Sequence, residues 1–114
     1  MLRVVDVSSG DRYQWGAASE GWHLVNRPDL SVIQEHVPAG DRERRHVHSR
    51  ARQFFYILEG HAVLEVDGVR LELGAGQGLE VPPGATHQLL NESQRPVTFL
   101  VVSSPHSHGD RTDG

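Results

Sequence analysis

The chain of 114 residues contains no cysteine. Disulfide cross-links, thiolate metal ligands and thiol nucleophiles are all excluded by that one absence. Lysine is also missing: all 11 basic residues are arginine, so Schiff-base chemistry through a side-chain amine is excluded too. No run approaches the roughly 18 apolar residues that a membrane helix requires, and the N-terminus lacks the charged-then-apolar pattern of a secretory leader. A cytoplasmic protein with no membrane partner is therefore expected. The formal net charge of -4 argues against a general nucleic-acid binder. Histidine, carboxylate, amide, hydroxyl and a bound metal remain as chemical resources. The length predicts one domain over residues 1–114.

What the sequence does contain is a succession of short β-rich runs between turn residues. Val4, Val5 and Val7 read as a first short strand, with Trp15 and Trp22 as large apolar anchors, and residues 26–29 as a turn. Strands are expected at Leu30–Val37, Gln53–Leu58, Leu79–Val81 and Val97–Ser103. Val63–Val66 and Val69–Leu73 flank Asp67-Gly68, a pair that supplies the positive φ values of a two-residue hairpin turn. The glycines at 74, 76 and 78 precede no helix and read as a strand connection rather than a phosphate loop. No segment has helical periodicity, so an all-β sandwich or barrel follows. Residues 104–114 read as a loosely ordered polar tail. It holds an H-x-H pair, His106 and His108, which either carries no function or folds over the barrel mouth.

Two strings of fixed spacing carry the chemistry. The first places Gly40, His46, His48, Gln53 and Gly60 at G-x5-H-x-H-x4-Q-x6-G; the second places Gly76, Pro82, Gly84, His87 and Asn91 at G-x5-P-x-G-x2-H-x3-N. Residues i and i+2 of a strand share a face, so His46 and His48 can aim two imidazoles at one point, with His87 as a third donor. Three neutral imidazoles converging in a barrel make a transition-metal site. The competing reading is that of isolated surface or core histidines, which is how His23 and His61 are taken.

These strings resemble the paired motifs of the cupin superfamily, with motif 1 at 40–60 and motif 2 at 76–91. One specified position departs, Gln53 standing where glutamate is usual. The resemblance implies an antiparallel jelly-roll (double-stranded β-helix) barrel holding one divalent transition metal. It further implies His46, His48, Gln53 and His87 as the ligand set. The metal is left open among Fe, Mn, Ni, Cu and Zn, and no catalytic residue is assigned. The family implies little about the reaction, because cupins include dioxygenases, isomerases, lyases, decarboxylases and simple binders.

Strand parity adds a constraint. If His46 and His48 face inward, an unbroken strand would turn Gln53 outward, so a break is required within Ser49-Arg50-Ala51-Arg52. Beyond it Phe55 and Ile57 share the face of Gln53, while Phe54, Tyr56 and Leu58 form a second apolar face. That face predicts a homodimer. Gln53 can coordinate through its carbonyl oxygen or turn away. As a neutral amide it leaves a divalent ion at net +2 rather than +1 and cannot act as a base. A base must then come from substrate, metal-bound hydroxide or another side chain; His36 is one candidate, and Gln34 is considered with it. The arginines of the 42–52 loop (Arg42, Arg44, Arg45, Arg50 and Arg52) are either a rim that steers an anion inward or a solvated loop. Their spacing forbids all five from facing one pocket. The expected function is a metal-dependent small-molecule enzyme, dioxygenase-like, acting on a bidentate organic anion. The alternatives are a metal-dependent isomerase or lyase and a non-catalytic small-ligand binder.

Overall fold

The computed structural model describes residues 2–107 and 109–113. Among them lie eleven strands and no helix: β1 Asp11–Trp15, β2 Ser19–Asn26, β3 Ser31–Val37, β4 His46–His48, β5 Arg52–Glu59, β6 His61–Val66, β7 Val69–Gly74, β8 Gly78–Val81, β9 His87–Leu90, β10 Val97–Ser104 and β11 Arg111–Asp113. They form two sheets, β1-β2-β3-β10-β5-β8 and β11-β4-β9-β6-β7. Every pairing is antiparallel. The jelly-roll architecture is the one expected.

Alternation along β5 and β10 closes the sandwich. In β5, Gln53, Phe55 and Ile57 are buried while Phe54, Tyr56 and Leu58 are exposed; in β10, Val97, Phe99, Val101 and Ser103 are buried. Phe55, Ile57 and Phe99 meet Leu64 and Leu89 from the second sheet in one apolar cluster. Burial of such side chains contributes about 1.5–3 kcal/mol each. The β6–β7 hairpin turns through Asp67 and Gly68, both at positive φ (48° and 83°), as the Asp-Gly pair predicts.

Two expectations are corrected. Val4, Val5 and Val7 lie outside any strand, exposed or half-buried, and the first strand is β1, which pairs with β2 in the register Asp11–His23 to Trp15–Ser19. The expected loose tail contains β11, which pairs with β4 in the register Arg111–His48, Thr112–Val47 and Asp113–His46. Its anchor is Asp110, a buried carboxylate accepting hydrogen bonds from Ser49 Oγ (2.7 Å), Arg50 N (2.9 Å) and Ala51 N (2.9 Å). Those three bonds hold its carboxyl well below the usual range, the Ser49 bond having the largest effect. Unpaired loop amides thereby find an acceptor, and a polar segment becomes ordered. His106 is described, its backbone N donating to Pro28 O, whereas His108 lies outside the described residues.

Candidate metal centre

The two sequence motifs are tied together at their ends and in their middles. Gly40 N donates to Asn91 O (2.8 Å), and Asn91 N donates to Asp41 O (3.0 Å). The buried Asn91 side chain also donates to Val37 O and Arg95 O, which fixes where β9 ends. Gly84, at φ 83°, donates its N–H to His48 O at 2.8 Å, so the turn before His87 is docked on the strand carrying the other two histidines. His46 and His87 are then register partners across β4 and β9.

The result is a buried cluster. Potential ligand atoms of His46, His48 and His87 lie within 4.8 Å of one another, and this group could hold a metal ion. Ring centroids are separated by 5.0 Å (His46–His48), 4.3 Å (His46–His87) and 5.7 Å (His48–His87). The chain breaks its strand between His48 and Arg52, and Gln53 then points inward beside the cluster, buried.

The donors are set by their partners. His46 Nδ1 lies 2.7 Å from Arg44 O and His87 Nδ1 lies 3.0 Å from Ala85 O. A carbonyl only accepts, so Nδ1 carries the hydrogen in both rings. Burial disfavours a second proton: it pushes His46 down to about 3 and lowers His48 and His87 as well. Both Nε2 atoms therefore present lone pairs. His48 Nδ1 is buried without a hydrogen-bond partner among the described residues.

Gln53 Oε1 lies 3.0 Å from His87 Nε2, while Gln53 Nε2 donates to Ser103 Oγ at 3.0 Å. With His87 protonated at Nδ1 and the amide in this orientation, two acceptor lone pairs face each other in a buried setting, an arrangement that a cation relieves. Neighbouring N and O ligands of a first-row ion, each at about 2.0–2.2 Å, sit near this separation. The donor set fits such an ion: neutral nitrogen and oxygen atoms, fixed by backbone carbonyls and a serine behind them.

His46, His48 and Gln53 line a cavity of about 480 Å³. Arg42, Arg44 and Arg111 also line it, so the arginine-rich loop contributes two of its five guanidinium groups. Arg44 and Arg111 both pair with Asp113 at the cavity rim (3.3 Å and 3.5 Å), while Arg45 pairs with Glu65 (2.7 Å), Arg50 with Asp110 (3.4 Å) and Arg52 with Glu80 (2.6 Å).

Sequence reasoning missed the cavity's acids. Glu35, not His36, faces inward from β3; His36 is half-buried on the opposite face, its Nδ1 3.3 Å from Thr98 Oγ1, and neither it nor Gln34 lines the cavity. Glu35 is buried and accepts a hydrogen bond from Tyr13 Oη at 2.7 Å. Glu43 lines the same cavity and accepts from Leu89 N at 3.0 Å. Burial pushes Glu35 up to about 7, against the opposing Tyr13 hydrogen bond; burial and then the Glu35 charge push Glu43 up to about 8. Burial likewise raises the Tyr13 phenol, which stays a donor. A strict alternation along β3 starting from buried Ser31 would have put Glu35 inside.

The jelly roll thus holds a buried three-histidine cluster, two members of which line its cavity, as a candidate metal centre. The chain belongs to the Cupin domain family, whose model matches residues 33–103. The uncharacterized protein MJ1618 of Methanocaldococcus jannaschii is 31% identical over 81 residues, which are 70% of this chain and 65% of that protein. Quercetin 2,3-dioxygenase of Bacillus subtilis is 36% identical over 56 residues, 49% of this chain and 17% of that enzyme. The chain spans less than two thirds of the length of either relative. Among solved structures, the polyketide cyclase RemF of Streptomyces resistomycificus has a TM-score of 0.85 over 99% of this chain and 85% of that one. At 18% identity that likeness is one of fold. No helix among the described residues is long and apolar enough to cross a membrane.

Proposed function

We propose that the protein is a metal-dependent enzyme of small organic anions, with His46, His48, His87 and Gln53 as ligands. The observation that carries this reading is the pair of opposed lone pairs, Gln53 Oε1 and His87 Nε2, 3.0 Å apart beside two further imidazoles. A divalent ion bound there would act as a Lewis acid toward two oxygens of a bidentate ligand. The chain's residues would do the rest. Arg42, with Arg44 and Arg111 sharing the single carboxylate of Asp113, gives the cavity rim a net positive charge that draws an anion in, and the neutral Gln53 leaves the centre more positive than a carboxylate would. Phe55 and Val101 supply an apolar wall that excludes water from one side of the ligand.

Dioxygenase chemistry is the leading reaction class, supported by the likeness to quercetin 2,3-dioxygenase over the matched segment. A non-oxidative isomerase or lyase is the second reading, favoured by the buried acids Glu35 and Glu43 in the same cavity. An oxygen electrode separates them. Metal-loaded protein given an enolisable hydroxy-ketone is expected to consume dioxygen as the ketone disappears; disappearance without uptake would establish the second reading.

A homodimer belongs to the same proposal. Phe54, Tyr56 and Leu58 on the outer face of β5 are 41%, 36% and 42% exposed, and the neighbouring Leu100 and Val102 of β10 are half-buried on that face. A contiguous apolar sheet face of this kind is suited to burial against a second copy.

A further inference from the structure

Gln53 cannot accept a proton, yet a bidentate enol or hydroxy-ketone must lose one to bind as an anion. We propose that Glu35, positioned by Tyr13, is the proton-accepting catalytic residue of the cavity, and that its substrates carry an acidic O–H beside a carbonyl. The assignment deepens the metal-dependent reading above and rests on it.

The geometry is built across three strands. Tyr13 of β1 pairs with Gly21 of β2, and Gly21 pairs with Glu35 of β3. A Cβ at Gly21 would collide with the Tyr13 ring, at Cζ and at Oη. Glycine there leaves the tyrosine room to lie across β2 and donate to Glu35 Oε2 at 2.7 Å. On its other side Glu35 pairs with Phe99 of β10, an apolar neighbour. The charged groups around Glu35 are Glu43 from the segment before β4 and Arg111 of β11, with His46 and His48 lining the same cavity. Tyr13 is routed over a glycine to Oε2 of the buried acid, and Trp15 is a second hydrogen-bonding neighbour of the same carboxylate. With about four lone-pair sites on its two oxygens, the carboxylate keeps acceptor capacity on the cavity it lines.

The step balances without a co-reactant. The substrate O–H bond breaks and its electron pair stays on the substrate oxygen. The proton forms a new O–H bond at the Glu35 carboxylate, and it returns to the product or to water when the ligand leaves. Nothing is oxidised or reduced in this transfer. An acid raised to about 7 by burial is ionised in part at neutral pH and holds the proton well enough to accept it. Glu43, raised by burial and by the Glu35 charge, is coupled to Glu35, so the pair holds a proton between them and is not charged twice. Tyr13 is a positioning residue, because it acts through Glu35.

The test counts protons rather than turnover. Protein loaded with Ni(II) is titrated calorimetrically with maltol, a hydroxypyranone chelator, in mildly alkaline buffers of different ionisation enthalpy. The wild type is expected to retain the proton that maltol loses, because the anion bound beside Glu35 raises the proton affinity of that carboxylate above its value in the ligand-free cavity. Glu35→Gln should release close to one additional proton per site into the buffer, and Glu43→Gln should release much less. Tyr13→Phe removes a hydrogen bond that favours the Glu35 carboxylate, so the pH at which the proton is retained should move upward. A role confined to stability would leave that midpoint in place. Equal proton counts in wild type and Glu35→Gln, with maltol bound by both, would overturn the assignment while leaving the metal reading intact. Failure of the Ni(II)-loaded wild type to bind maltol would overturn that reading, and this one with it.

Discussion

His87 Nε2 and Gln53 Oε1 face each other at 3.0 Å, and neither carries a hydrogen when His87 donates through Nδ1 to Ala85 O. Rotating the amide by half a turn would satisfy His87 with an N–H and let the Ser103 hydroxyl donate to the oxygen, removing Gln53 from the ligand set. The difference between the two orientations is chemical and measurable.

Gln53→Glu makes that difference visible. With the oxygen in the site, the variant lowers the charge of the centre from +2 to +1 with little change of shape, and Ser103 Oγ can donate to the new carboxylate. Metal should be held more tightly and azide less tightly, each on the order of tenfold, because one Coulomb interaction governs both. Competition titrations with a chromophoric chelator and with azide read the two affinities. Parallel gains in both, or no change in either, would contradict coordination by Gln53.

The acids predict an alkaline loss of stability. Glu35 at about 7 and Glu43 at about 8 lie above the ordinary carboxylate value of 4.5, so the folded chain holds protons that the unfolded chain has released. Their contribution is complete below 4.5 and is lost as the pH rises through 7 to 8. The histidines act in the opposite direction: His46, pushed down to about 3, stays neutral in the fold while the unfolded ring protonates below 6.5. Urea midpoints of metal-free protein should therefore fall on both sides of an optimum. In Glu35→Gln/Glu43→Gln the alkaline decline should vanish and the acid decline persist. A persistent alkaline decline would place its origin elsewhere.

Asp110 predicts a link between the C-terminal strand and the metal. Its carboxylate fixes Ser49, Arg50 and Ala51, the break that lets His48 and Gln53 both point inward. Asp110→Ala should free β11 from β4, expose residues 109–113 to protease and weaken metal binding by about tenfold. Limited proteolysis and a chelator titration check both. Unaltered proteolysis with unaltered affinity would show that β11 is held by its ladder alone.

The outer face of β5 predicts a monomer on charge insertion. Phe54→Glu/Tyr56→Glu places two carboxylates on the proposed dimer face without touching inward-facing Gln53, Phe55 or Ile57. Light scattering at micromolar concentration should return one chain for the variant and two for the wild type. A monomeric wild type would contradict the dimer.

The histidine cluster was legible because its information is local: the i, i+2 spacing of His46 and His48, the Pro-Gly turn before His87, and the parity argument that placed a break at residues 49–52. The β6–β7 hairpin was legible for the same reason, through Asp67-Gly68. The role of Glu35 was not: alternation along β3 could have placed it inside, but its hydrogen-bond partner is Tyr13, 22 residues away, lying over Gly21. Nothing within Ser31–Val37 marks the acid as satisfied. Strand β11 was hidden by its composition, since Asp110 looks like an ordinary polar residue until the loop amides it accepts are brought beside it. The arginines looked alike in sequence; which of them line the cavity depends on distant acids, Asp113 holding Arg44 at the rim while Glu65, Asp110 and Glu80 hold Arg45, Arg50 and Arg52.

Metal content is the most direct measurement of the central claim. Protein purified without chelators, then incubated with a first-row divalent ion and desalted, should retain about one equivalent per chain by elemental analysis. His87→Ala, which removes the donor shared with Gln53 and pairs with His46, should retain far less while keeping the β-sheet circular dichroism of the wild type. Equal metal in the two proteins, or none in the wild type, would contradict the account.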